Sequence, residues 1–245
     1  MITTTSLSEQ LDIWYQQEPG RSLLDAETRA IHHLLKRLFG YHLVQINGPN
    51  FIDLLVSSSI LHKIRIDNEI SASFGGSQVK ANPMELPLVP KSVDVIFLPH
   101  LLEFCDKPEQ LLQAIYKALI PGGRVVILGF NPMSLWGLSN QWRKRLPGLK
   151  KLLFFGKLRR QLSKLGFALE SYQTIFYRPS LLSSQLLQRY MFLEAIGPLC
   201  WPSFGATYIV VAQKVKSAVT LIQAPSFKKS NGKVKATIPE VTTKM

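Results

Sequence analysis

Apolar residues in this chain fall into short unbroken runs and into stripes at helical spacing. The most informative stretch is residues 86–129, LPLVPKSVDVIFLPHLLEFCDKPEQLLQAIYKALIPGGRVVILG. Residues 93–98 and 124–130 are nearly continuous in apolar side chains, the pattern of strands covered on both faces of a parallel sheet. Between them Leu111, Leu112, Ile115, Ala118 and Leu119 recur at helical spacing. Pro108 suits the first turn of that helix, where its missing N–H costs nothing. Pro121 forbids continuation, and Gly122-Gly123 turn the chain into the next strand. Strand, helix, turn, strand predicts an α/β fold.

The flanking segments extend the pattern. Residues 21–39 read as a helix capped by Ser22, with Asp25 three positions later. Leu24, Ile31, Leu34, Leu35 and Leu38 form its buried stripe, and Gly40 supplies the stop. Residues 41–46 read as a first strand ending in the turn Asn47-Gly48-Pro49-Asn50, followed by a short helix over 51–58. A second strand, 63–66, carries Asp67 at its carboxyl end. Gly75-Gly76 marks a loop before a short third strand at 78–81. Residues 157–165 read as a helix stopped by Gly166. Strands are predicted at 169–177 and 206–212, with room for a helix over 181–190 between them. Residues 1–20 are expected to be an N-terminal extension to a domain over 21–215. From 216 the chain is rich in Ser, Thr, Lys and Pro, and a tail of that composition is expected to stay disordered.

Charge changes the picture of partners. The 245 residues hold 29 Lys and Arg against 16 Asp and Glu, a formal net charge of +13. That excess favours an anionic partner. Much of it lies in residues 136–165, where Arg143, Lys144, Arg145, Lys150, Lys151, Lys157, Arg159, Arg160 and Lys164 occur without an acid. Trp136, Trp142, Phe154 and Phe155 are interleaved with them. RNA binding, an anionic membrane surface, or a lid with an apolar inner face and a solvated basic outer face all fit this composition. The start of the chain has no basic and apolar leader pattern. No run approaches the roughly 18 apolar residues of a membrane span, so a soluble cytoplasmic protein is expected. Cys105 and Cys200 have no metal-ligand spacing, and no metal is expected.

The blocks Leu86-Pro87-Leu88, Ser92-Val93-Asp94-Val95, His100-Leu101-Leu102-Glu103 and Leu119-Ile120-Pro121-Gly122-Gly123-Arg124 resemble the latter half of class I S-adenosylmethionine-dependent methyltransferases. Leu38-Phe39-Gly40-Tyr41-His42-Leu43 and Phe130-Asn131-Pro132 resemble the YafS-like bacterial branch of that superfamily. The resemblance covers residues 20–215. It implies a doubly wound, seven-stranded, mostly parallel sheet with a reversed last strand. It also implies S-adenosylmethionine as cofactor and methyl transfer to an unidentified acceptor. The alternative is a methyltransferase-fold binding or scaffold protein that has lost catalysis and associates with RNA or anionic lipid.

Carried onto this sequence, the resemblance assigns the cofactor to Gln45, Asn47, Gly48, Asp67, Asn82 and Leu98. Gln45 stands where an acid is usual, and the glycine-rich turn is reduced to Asn47-Gly48-Pro49-Asn50. Asn47 and Gly48 tolerate left-handed backbone and close approach. Asp67 is placed for ribose hydroxyls, or is a solvated strand-end acid. Asn82 is placed for adenine. His100 and Glu103 follow the fourth strand, where they orient or deprotonate a substrate, or cap and pack the loop. Asn131 and Pro132 floor the substrate site or end a strand. Asp94, inside a strand, is expected to make a structural hydrogen bond, and Cys105 to pack.

Overall fold

In a computed structural model of the chain, which describes residues 7–138, 149–178 and 193–215, seven strands form one sheet in the order β3-β2-β1-β4-β5-β7-β6. In chain order the elements are α1 (Leu7–Tyr15), α2 (Gly20–Leu35), β1 (His42–Ile46), β2 (His62–Asp67), β3 (Ser77–Lys80), β4 (Val93–Pro99), α3 (Pro108–Ala118), β5 (Leu119–Phe130), α4 (Leu135–Leu138), α5 (Phe155–Leu165), β6 (Phe167–Ile175), α6 (Leu193–Cys200) and β7 (Thr207–Lys214). Strands β1 to β5 pair in parallel, and β7 runs antiparallel between β5 and β6. The doubly wound sheet with one reversed strand is the architecture expected.

The continuous apolar strands split by parity into two cores. Ile96 and Leu98 of β4, Val125 and Ile127 of β5, and Tyr208 and Val210 of β7 pack with α3 and α5. Their neighbours Val95, Phe97, Val126, Leu128, Ile209 and Val211 pack with Ile31 and Leu35 of α2. Successive side chains point to opposite faces, so a strand covered on both sides carries no polar positions. Helix α5 ends as its sequence predicts, with Gly166 in the left-handed region at φ 92°.

Several elements depart from expectation. Helix α2 begins at Gly20, and Ser22 lies inside it, its hydroxyl donating to Glu18 Oε2 at 2.8 Å. Residues 51–58 form turns instead of a helix. Asp53 accepts the Leu55 N–H and Ser58 Oγ the Ile60 N–H, and such local bonds compete with helical ones. Strand β5 starts at Leu119 and carries Pro121-Gly122-Gly123 within it, where the pairing to β4 shifts register between Val93 and Val95. Residues 7–15, expected in an extension, form α1, whose Leu11, Trp14 and Tyr15 pack with Phe130, Trp136 and Phe176. Of the basic segment, Trp136, Leu149, Leu153, Leu158 and Leu162 are buried. Its residues 139–148, the helix expected over 181–190 and the tail from 216 lie outside the described residues.

Asp94 does the structural work its strand position implies. Its Oδ2 accepts the N–H groups of Tyr41 and His42 at 3.1 and 2.9 Å, tying the start of β1 to β4. Replacing Asp94 with Ala is expected to cost about 2 kcal/mol, the worth of hydrogen bonds to a charged acceptor, read as a lower urea midpoint with unchanged m-value.

Candidate functional site

The carboxyl ends of β1, β2, β4 and β5 carry two buried polar networks. The first surrounds the turn after β1. Gln45 stands opposite Arg65 in the parallel register, so both side chains share the face that Asp67 also occupies. Asn47 takes a left-handed conformation at φ 65°, and its N–H bonds the Ile66 carbonyl at 2.8 Å. Gly48 follows at φ 125°. A Cβ there would lie 2.7 Å from Gln45 Nε2 and 2.9 Å from Pro99 Cγ, so only glycine fits the turn.

Arg65 holds this turn from beneath. Its Nη1 donates to the Pro49 carbonyl, and its Nη2 to the Gly48 carbonyl and Asn50 Oδ1, each at 2.7 Å. The same Nη2 lies 2.8 Å from Asp67 Oδ2, and both side chains of the pair are 1% exposed. Asp67 Oδ1 accepts the Asn68 N–H at 2.7 Å. Burial raises the Asp67 carboxyl above its usual range, and Arg65 opposes that rise. Asp12 of α1 closes the turn by accepting the Asn50 N–H at 2.9 Å.

The second network centres on His100, which has φ 51°, unusual for a side-chain-bearing residue. Its ring stacks on Phe130 with centroids 4.0 Å apart. Its Nε2 lies 3.1 Å from Glu27 Oε1, and the Tyr15 hydroxyl donates to Glu27 Oε2 at 2.8 Å. Glu103 is fully buried, and its Oε1 accepts the Phe130 N–H at 2.8 Å. Gly129 permits this: any side chain there would strike both the Glu103 carboxylate and the Tyr208 ring. Burial lifts Glu103 from the usual 4.5 to about 7, with His100 opposing. Burial first, then Glu103, pushes the Tyr208 hydroxyl well above its usual value of 10.

Gln45, Asn47, Gly48 and Asp67 thus gather at one turn, and His100 and Glu103 at a neighbouring one. Asn82 is exposed on the rim, and its Oδ1 accepts the Met84 N–H at 3.0 Å. Leu98 packs wholly into the core on the α3 side. Asn131 spends its amide inside the protein: Nδ2 donates to the Ser203 and Gly205 carbonyls at 2.7 and 2.8 Å, and Oδ1 accepts the Met133 N–H. Pro132 is buried against Gly137. Sequence reasoning missed Glu27, Arg65 and Tyr15. Glu27 was visible as a lone acid on the buried stripe Leu23, Ile31, Leu35. Arg65 was visible as a charge between Ile64 and Ile66.

Several buried polar atoms in these networks have no partner among the described residues: Gln45 Oε1, Asn47 Nδ2, Arg65 Nε, His100 Nδ1, Glu103 Oε2 and the Tyr208 hydroxyl. Buried groups of this kind cost free energy unless something bonds them.

Two measurements follow from the networks. Arg65→Met leaves Asp67 and two carbonyls buried without their cation and is expected to destabilise the fold by about 4 kcal/mol in urea unfolding. Glu103 has a raised pKa, so its favourable contribution is full below about 4.5 and is lost as pH rises through about 7. Glu103→Gln removes that loss; relative to wild type it is expected to gain up to about 3 kcal/mol between pH 5 and pH 8. Equal pH slopes for the two proteins would refute this.

Comparison with known proteins agrees with the geometry. A methyltransferase-domain family profile matches residues 56–127. YafS of Escherichia coli K12 is 34% identical over 140 residues, which are 57% of this chain and 55% of YafS. The biotin biosynthesis bifunctional protein BioHC of Cellvibrio japonicus is 29% identical over 97 residues, 40% of this chain and 18% of that protein. Among solved structures, a SAM-dependent methyltransferase from Archaeoglobus fulgidus superposes with TM-score 0.58 at 20% identity, covering 82% of this chain and 98% of its own. A methyltransferase from Thermotoga maritima gives TM-score 0.58 at 20% identity, covering 85% and 99%. Among the described residues no helix is long and apolar enough to cross a membrane, and no cluster of three metal-ligating side chains occurs. The chain has the fold of S-adenosylmethionine-dependent methyltransferases, matches a methyltransferase-domain profile over part of its length, and is similar to YafS over about half the length of each protein.

Proposed function

We propose that this protein transfers a methyl group from S-adenosylmethionine to an acceptor held over the carboxyl ends of β4 and β5. The observation that carries this is the pair of unpartnered amide atoms at the end of β1, next to a strand-end carboxylate. Gln45 Oε1 is an acceptor and Asn47 Nδ2 a donor, the two functions that a zwitterionic amino-acid end requires. The Asp67 carboxylate retains lone pairs for ribose hydroxyls beyond its bonds to Arg65 and Asn68. Asn82, on the rim beside the end of β3, is assigned to the adenine. The residues present therefore fit the cofactor that the fold implies. Bound there, it supplies a methyl group on a sulfonium for in-line displacement.

His100 is assigned to the acceptor. With its Nε2–H donated to Glu27, the Nδ1 lone pair is the one able to receive a proton, and no other group in the described chain engages it. Stacking on Phe130 fixes the plane of the ring. Glu27 and Tyr15 lie on the N-terminal helices, so the segment that orients the imidazole also covers it from water. Glu103 anchors the start of the loop after β5 through the Phe130 N–H.

The test is calorimetric titration of the full chain with S-adenosylmethionine and S-adenosylhomocysteine. Saturable binding is expected, weakened about tenfold by Asp67→Asn and by Asn47→Gly, which keeps the left-handed backbone and removes the amide. Absence of heat and of thermal stabilisation with either ligand, in protein that unfolds cooperatively, would overturn the proposal.

A further inference from the structure

Helix α5 spends its apolar side on the protein. Leu158 and Leu162 are buried in the core shared with α3, and Phe155 and Leu165 pack against it. Phe155 also stacks on Tyr172, with ring centroids 3.8 Å apart. What α5 leaves exposed is Gly156, Lys157, Arg159, Arg160, Ser163 and Lys164. Lys157, Arg160 and Lys164 follow at i, i+3 and i+7, so they form one row along the helix. They line an open cleft of about 330 Å³ together with Gln161 and with Glu109 of α3. Arg159 joins Arg160 and Lys164 around the next cleft, of about 370 Å³.

Among the described residues none of these four cations is ion-paired. Glu109 is the one acid lining the two clefts, and its Oε1 accepts from Gln161 Nε2 at 2.7 Å. One carboxylate against four cations leaves the face positive. The arrangement works against the helix itself. Arg160 has a like charge three residues before it and another four after, and such pairs repel. The first turn holds Lys157 and no acid, although a cation there meets the positive end of the helix dipole. Anions set along the row would offset each of these repulsions.

The exposed residues also decide which anion. A helix that lies on a membrane needs an apolar face for the acyl boundary, and that of α5 is already buried in the protein. Single strands are held by rings on which bases stack, and no ring stands among the exposed residues of α5. A protein partner needs an apolar centre to its interface, which a row of cations with Gly and Ser does not offer. A duplex backbone asks for charge alone, since its phosphates take cations without regard to sequence. From Lys157 to Lys164 the helix rises about 10.5 Å. Phosphates on one strand recur about every 3.4 Å of duplex axis, so the row can track about three of them. We infer that the outer face of α5 binds the phosphate backbone of double-stranded nucleic acid, with Lys157, Arg160 and Lys164 along one strand and Arg159 beside them.

Fluorescence anisotropy of the full chain with a labelled RNA duplex, and with a DNA duplex of corresponding sequence, tests this. Saturable binding is expected, with affinity falling steeply as salt rises. Arg160→Gln combined with Lys164→Gln is expected to weaken it about tenfold and to make the slope of log K against log salt shallower by about 2. Lys36→Gln combined with Arg37→Gln removes the same charge at the end of α2, which packs on the other face of the sheet. That control is expected to keep its affinity within about threefold of wild type. All four positions are exposed, so matching melting profiles separate lost binding from lost folding. The tighter of the two duplexes identifies the nucleic acid, and either supports the inference. Failure of both to bind would overturn it. So would equal losses in the two double variants, which would reduce the contact to net charge. Sedimentation with phosphatidylglycerol vesicles that exceeds duplex binding, and is lost in Arg160→Gln/Lys164→Gln, would also overturn it and assign the face to lipid.

Discussion

A guanidinium shut away from water is a demand on everything near it. Taking Arg65 out of solvent costs several kcal/mol unless its N–H groups and charge are met in place. Asp67 meets the charge, and three oxygens of the turn after β1 meet the donors. The dependence runs both ways, since the Gly48 and Pro49 carbonyls point inward and would be buried without a donor if Arg65 were absent. In many nucleotide-binding α/β folds the turn after the first strand leads into a helix, whose N-terminal N–H groups supply positive potential. Here residues 51–58 form no helix. The cation beneath the turn fixes the turn's shape through its bonds to Gly48, Pro49 and Asn50.

The same arrangement explains why position 45 is an amide. Gln45 Nε2 donates to the Asn47 carbonyl at 2.9 Å, a bond that an ionised acid cannot make. A carboxylate at 45 would also join Asp12 and Asp67 as a third acid around one buried cation. Asp12 already feels the cost of burial, its carboxyl raised above the usual range. A neutral amide keeps an acceptor at this turn without adding to that charge. The amide at 45 and the shape of the Asn47–Asn50 turn are therefore coupled through Arg65.

Much of this fold is legible in the sequence because sheet strands covered on both faces need unbroken apolar runs, and α3 and α5 declare their ends through Pro108 and Gly166. What escapes is whatever depends on contacts between distant segments. Helix α1 is marked by Leu11, Trp14 and Tyr15, whose partners Phe130, Trp136 and Phe176 lie more than a hundred residues away. The false helix over 51–58 failed because Asp53 and Ser58 satisfy backbone groups locally. Asn131 resembled a ligand-facing amide, but only the fold reveals the carbonyls of the 203–205 turn that consume it. Asp67 and His100 were named from the blocks they follow. The residues that set their behaviour, Arg65 and Glu27, are charges on faces that local pattern reads as solvated or apolar.

The two networks also differ in how they treat a proton. Around Arg65 the guanidinium Nη atoms are met by Asp67 and by three oxygens of the turn. Around His100 one buried carboxylate, Glu27, meets the imidazole directly, while burial raises the neighbouring Glu103 to about 7. The division follows the sheet. Strands β1 and β2 end beside the Arg65–Asp67 pair, and β4 ends beside His100 and Glu103. Gln45 of β1 and Phe97 of β4 are register partners, so a single strand spacing separates the two polar networks.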